Sequence, residues 1–196
     1  MMSIPKRGLY TVIRILMSCV LKNRYGIRDT DKLKQVEQDI VGAKQQYLLL
    51  NPVQGRYTAS HLCNIHRFLF EDAYPFAGRY RLETIRKGDT IFLNERDIPA
   101  KLQGLLFKLK QEKYLSDLSH NIFIERLAYY IAELNYIHPF REGNGRATRE
   151  FFRLLIERNG YSVNWTAAGA AALMDAMIAS VYDICDLQSV LEMCIK

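Results

Sequence analysis

At 196 residues and 49% hydrophobic content the chain is long enough for one domain with a sizeable core. Its 27 Lys and Arg against 21 Asp and Glu leave a net charge of +6, which favours anionic partners such as nucleotides, nucleic acid or acidic protein surfaces. Cys19, Cys63, Cys185 and Cys194 form no C-x-x-C pair and are spaced too widely for a disulfide framework, so a reducing cytoplasm is expected.

The first segment sets Lys6 and Arg7 ahead of "GLYTVIRILMSCVL", a superficial likeness to a secretory signal. Arg14 interrupts the apolar run, no small-x-small cleavage site follows, and the stretch is shorter than the roughly 20 apolar residues a bilayer requires. An amphipathic helix or a ragged start is expected, and no other stretch is a membrane candidate. Leu33, Val36, Ile40, Val41, Tyr47 and Leu48 then recur at helical spacing behind the N-cap candidates Asp29 and Thr30. A second helix begins near Thr58, carries Leu62, Ile65, Leu69 and Phe70, and stops at "YPFAG" because a residue before proline avoids the helical region.

Residues 80–93, "YRLETIRKGDTIFL", place β-favouring runs on either side of "KGD" and predict a hairpin, which must lie against the helices or acquire a partner strand because a lone hairpin is marginal. Further helices are expected over 97–114, 119–137, 146–159, 166–183 and 186–194. With no repeat and no long linker, the chain reads as one mainly α domain over 1–196, its core at about 19–166 and its C-terminal helices over 166–196.

The segment "HPFREGNGRATREFF", residues 138–152, is the least helix-friendly in the chain. A strongly apolar helix runs into His138, Pro139 stops it, and the helical pattern resumes at Arg146 until Asn159 and Gly160. Gly143 and Gly145 allow positive φ and close approach, so successive N–H groups can turn inward at a helix N-terminus as an anion cradle. Arg146 and Arg149 share a face on the first turn, where cations oppose the macrodipole by about 0.3 to 1 kcal/mol each and a bound polyanion would reverse that cost. Glu142 suits Mg²⁺, which is commonly held by one carboxylate together with substrate phosphates. His138, with an ordinary pKa near 6.5, is the candidate base, and Asn144 a candidate donor to a phosphoryl oxygen. His66, on the helix bearing Ile65 and Leu69, reads as a helix-surface or core histidine, His61 and His120 show no ligand-like spacing, and none of the three receives a role. The basic residues are spread without an aromatic-interleaved stripe, so nucleic-acid binding is not expected.

These residues resemble the signature HxFx(D/E)GNGRxxR of the Fic (Fido) family, matched by His138, Phe140, Glu142, Gly143, Asn144, Gly145, Arg146 and Arg149. "LFEDAYPFAGRYR" is similar to the segment before the family's flap, "IRKGDTIF" to the flap and "VLKNRYGIRD" to its domain start. The resemblance implies a helical bundle with a β-hairpin flap over the active site. It further implies protein adenylylation, in which AMP passes from ATP to a Ser, Thr or Tyr hydroxyl with release of pyrophosphate. His138 is then the base, Glu142 the Mg²⁺ ligand, and Asn144 with the loop amides the α-phosphoryl contact. Arg146 and Arg149 bind the β and γ groups, and Phe140 anchors the loop. Lys87, Gly88, Asp89 and Thr90 would sit over the nucleotide and the hydroxyl of a target protein pinned by strand addition. The family's inhibitory pattern (S/T)xxxE(G/N) is absent, since no Ser or Thr has Glu four residues on. A small antitoxin-like partner acting in trans, or constitutive activity, is expected instead. Gly145 stands where phosphorylating relatives carry lysine, leaving room for the AMP-transferring orientation. Transfer of phosphate, UMP or phosphocholine and a non-catalytic nucleotide-binding module are the rival readings.

Overall fold

The structure, a computed structural model, describes residues 20–88 and 90–196, so the expectations for the N-terminal segment and for Asp89 lie outside the described residues. The described residues form seven α-helices and one hairpin: α1 (Thr30–Leu50), α2 (Ala59–Phe70), β1 (Arg86–Lys87), β2 (Thr90–Ile91), α3 (Ile98–Gln111), α4 (His120–Ile137), α5 (Asn144–Arg158), α6 (Ala170–Ala179) and α7 (Cys185–Cys194).

The centre is α4, which buries Phe123, Ile124, Leu127, Ala128, Tyr130, Ile131, Ala132, Leu134 and Ile137, as its nearly continuous apolar sequence requires. Around it, α3, α5 and α7 pack directly on α4, α2 packs on α5, α1 on α2, and α6 on α7. Helix α1 begins where Asp29 accepts the Lys32 N–H at 2.8 Å, and α2 where Thr58 accepts that of His61 at 3.3 Å. The inward face of α1 is Leu33, Glu37, Val41 and Leu48. Tyr47, expected on that face, is exposed and stacks on Phe68 at 5.7 Å.

Four helix boundaries differ from expectation by more than one residue, and the hairpin is shorter than expected. Helix α3 stops at Gln111 because Lys113, Tyr114 and Leu115 turn left-handed (φ 50°, 58° and 63°), and Asn159 donates to the Tyr114 carbonyl at 3.0 Å. Helix α5 starts two residues early, at Asn144. Helix α6 starts at Ala170, since Gly169 has φ 82° and ψ 148°, and it ends at Ala179 instead of near 183. The hairpin is only two residues per strand, with Arg86 opposite Ile91 and Lys87 opposite Thr90. Below it the Arg81 guanidinium takes the Glu83 carbonyl (2.7 Å) and the Leu93 carbonyl (2.5 Å), so a side chain replaces the ladder at the base of the flap. A bridge between Val163 and Ile195, flanked by mutual Ser162 and Lys196 main-chain bonds of 2.7 and 3.0 Å, fastens the end of the chain beside α5.

One buried ion network ties α1 to α5. Arg153 binds Glu150 through two bonds (2.8 and 2.6 Å), Glu157 through two more (2.7 and 2.8 Å) and the Leu48 carbonyl at 3.0 Å. Arg153→Ala leaves the buried Glu150 carboxylate unpaired, and urea denaturation should show a loss of about 3 to 5 kcal/mol. The double change Glu150→Leu with Arg153→Met should recover part of that loss.

Candidate active site

The loop from His138 to Gly143 is organised by one side chain. Asn144 accepts the Phe140 N–H at 2.8 Å and donates to the Phe140 carbonyl at 2.7 Å, so its amide closes the loop on itself. The side-chain oxygen and one of the two amide hydrogens of Asn144 are thus occupied by Phe140, and its main-chain N–H heads the first turn of α5. Phe140 is buried against His66, ring centroids 3.8 Å apart, as its apolar character predicts. His66 in turn accepts the Gly78 N–H at Nδ1 (2.8 Å), which fixes the proton on Nε2, and donates it to the Glu142 carbonyl at 2.9 Å. Burial lowers its pKa to about 4.

Gly143 has φ 76°, and a Cβ there would lie 2.2 Å from the Phe70 ring, so no side chain fits. This close approach sets the start of α5, whose first-turn amides, Asn144, Gly145 and Arg146, have no acceptor within the helix. Gly145 is exposed, and a Cβ added to it would meet the Arg149 guanidinium at 3.3 Å.

His138 caps α4 in a left-handed conformation, φ 46° and ψ 60°. Its Nδ1–H donates to the Asn135 carbonyl at 3.2 Å, and the ring stacks on Phe92 of the flap at 3.9 Å. Nε2 thus carries the lone pair, and it is buried with no hydrogen-bond partner among the described residues. Burial first, then the charges of Lys87 and Arg81, lower the imidazole pKa, the Asn135 carbonyl opposes them, and the net value is about 3. His138 is therefore neutral at physiological pH, with an open acceptor.

Beside it lies a cavity of about 610 Å³ lined by His138, Lys87, Glu142, Gly143, Asn144, Gly145, Arg146 and Arg149, with the inner face of α1 as the far wall. The structure so brings together the motif residues and Lys87. Gly88 lies in the flap turn with φ 56° and Thr90 is buried on β2, both outside the lining. Arg149 has no acidic partner among the described residues, and burial, then the neighbouring Arg146, lower its pKa. Arg146, in contrast, pairs with Glu37 at 2.5 Å, lies 3.5 Å from Glu142 and packs over the Phe70 ring. The cost expected for two free arginines at this helix end is thus met for Arg146 by Glu37, itself hydrogen-bonded by the Tyr74 hydroxyl, and stands only for Arg149.

Glu37 and His66 are the contributors that sequence reasoning passed over. Glu37 had a signal, an acid between Leu33 and Val41 on the face of α1 that must be buried. His66 had only its place on the inward face of α2.

A neutral histidine at a helix end, free first-turn amides and an arginine without an acidic partner among the described residues meet at one cavity, an arrangement chemically suited to a phosphorylated ligand. The comparisons give the family: residues 56–156 match the Fic/DOC family, to which the chain belongs. It is 36% identical over 172 residues to the protein adenylyltransferase VbhT of Bartonella schoenbuchensis, covering 88% of this chain but only 36% of that protein. It is 39% identical over 147 residues to the probable protein adenylyltransferase Fic of Salmonella typhimurium, covering 74% of this chain and 72% of the relative. Among solved structures, the BepC protein of Bartonella tribocorum, a VirB-translocated effector crystallised with bound AMPPNP, superposes with a TM-score of 0.88 at 27% identity, covering 95% and 97% of the two chains.

The depressed histidines make stability depend on acid. A group whose folded pKa lies below its unfolded value of about 6.5 contributes stability fully above that value and loses it as pH falls toward the folded pKa. His138 and His66, with folded values of about 3 and about 4, set that window between roughly pH 6.5 and 3. Denaturation midpoints should fall on acidification from pH 6.5 to 5, with a slope reaching about 1.4 kcal/mol per pH unit for each histidine. His66→Gln should flatten it, and a midpoint independent of pH over that range would contradict these burial states.

Proposed function

We propose that this chain transfers AMP from ATP to a Ser, Thr or Tyr hydroxyl of a target protein, with release of pyrophosphate. The observation that carries the reading is the buried, neutral and unpartnered Nε2 of His138 beside the cradle. The names of its relatives, a protein adenylyltransferase at 36% identity and a probable protein adenylyltransferase at 39%, support it.

In this reading Nε2 of His138 accepts the hydroxyl proton while the oxygen attacks the α-phosphorus, and the bond from that phosphorus to the bridging oxygen breaks as pyrophosphate leaves. A base with so low a pKa in the empty site gains basicity when the triphosphate places negative charge beside it. The amides of Asn144 and Gly145 face the α-phosphoryl oxygens, and Arg146 and Arg149 hold the β and γ groups. Among the described residues no cluster of three His, Cys, Asp or Glu could hold a metal alone. The single Glu142 carboxylate, which takes the Gly143 N–H at 2.9 Å on Oε1 and lines the cavity, fits the Mg²⁺ mode that relies on substrate phosphates. When bound, the ion neutralises charge on the phosphates.

The target protein docks on the flap, where Leu82 and Ile91 are exposed and a short strand leaves main-chain groups for an added strand. Arg149, free of any acidic partner among the described residues, is open to a carboxylate from an antitoxin-like inhibitor supplied in trans. Among the described residues no helix is long and apolar enough to cross a membrane, and we assign the activity to the cytoplasm.

ATP with Mg²⁺ at about 100 times its Kd should raise the melting temperature by about 5 to 10 °C. Arg149→Ala should lose most of that shift without lowering the melting temperature of the unliganded protein. His138→Ala should keep the shift and lose transfer of AMP to proteins of a lysate, measured as the mass gain of an adenylyl group. Unchanged transfer by His138→Ala would remove the histidine from the mechanism.

A further inference from the structure

Arg81 is 2% exposed, and all four hydrogen bonds of its guanidinium go to main-chain carbonyls. Nε donates to His138 at 2.7 Å and Nη2 to Ile137 at 3.1 Å, the last carbonyls of α4. Nη1 and Nη2 donate to Glu83 and Leu93, the two feet of the flap. Its own N–H donates to the Pro139 carbonyl at 2.9 Å. A helix end leaves several carbonyls without partners. At this end Asn135 is served by the His138 ring, Tyr136 by the Leu93 N–H at 3.2 Å, and Ile137 and His138 by Arg81. Apart from the histidine's own bond, the end of the catalytic helix is completed by the flap and by the arginine under it.

We propose that Arg81 is a positioning residue that couples the flap to the His138 imidazole, so that a polypeptide segment docked on the flap sets the orientation of the base. The coupling rests on the transfer reading given above, and its path is short. Arg81 holds both flap feet against the α4 terminus, and between those feet Phe92 stacks on the imidazole, its N–H bonded to the Ile85 carbonyl at 3.1 Å. A planar fork with divergent donors reaches both sets of carbonyls, whereas a lysine ammonium at the same depth serves one set or the other. Arg81 does not line the nucleotide cavity, so its effect falls on the hydroxyl side of the reaction.

The test compares the wild type with Arg81→Lys in three measurements: the melting shift with ATP and Mg²⁺, the rate of AMP transfer at saturating ATP, and amide hydrogen exchange at Phe92 and Leu93. The variant should keep the nucleotide shift, exchange faster at both amides, and transfer at least about tenfold more slowly, as expected for a base displaced by a fraction of an ångström. A folded variant with wild-type transfer and exchange would overturn the proposal, as would a nucleotide shift lost in proportion to the rate. If Arg81→Lys does not fold, Phe92→Leu tests the same path: slower transfer at unchanged nucleotide binding supports the coupling, and wild-type transfer overturns it. Should the wild type transfer nothing, the functional reading fails, while the exchange rates still decide whether Arg81 fastens the flap.

Discussion

The two hydrogen bonds between the Asn144 side chain and the Phe140 main chain are the constraint on which the site depends. They close a loop that has to turn from the end of α4 to the start of α5 within six residues, and they do so with an amide that competes with helix hydrogen bonding and is at home at such ends. Once Phe140 is held, its ring packs on His66, His66 fixes the Glu142 carbonyl, and Gly143 can pass against Phe70 where a side chain cannot. The free amides of α5 and the open nitrogen of His138 face one cavity as a consequence of this closure. The glycines and the asparagine thus serve the geometry, which sets the histidine, the glutamate and the arginines around that cavity.

Electrostatics give the cavity its selectivity. Arg146 is compensated by Glu37 and packed on Phe70, which holds it in place without a ligand. Arg149 has no such partner among the described residues, and Lys87 reaches the cavity from the flap. Positive charge left uncompensated at a helix N-terminus is unfavourable until an anion arrives, so the empty site favours a polyphosphate over a neutral ligand. The same charges, added to burial, hold His138 neutral, which keeps its proton-accepting nitrogen available.

The fold was legible wherever periodicity was strong. The helix around Leu127 and the one around Phe151 stand where their apolar patterns place them, and the signature residues other than Phe140 line one cavity. What was not legible depends on long-range contacts. Glu37 becomes part of the site only because α1 packs beside α5, and Arg81 replaces strand pairing with side-chain bonds that no local pattern encodes. The left-handed turn at Lys113–Leu115 carries no glycine to announce it, and Asn159, which steadies it, lies on the far side of two helices. Tyr47 was misplaced because an apolar face read from spacing does not distinguish a buried tyrosine from one stacked at the rim.

The most direct measurement supplies the protein and a lysate with ATP labelled on the α-phosphorus in one reaction and on the γ-phosphorus in another. The proposed AMP transfer predicts label on protein from the α position, none from the γ position, and loss of the α label in His138→Ala. Label carried from the γ-phosphorus would mean that the triphosphate lies the other way along the cradle and that the group transferred is phosphate, contradicting the account.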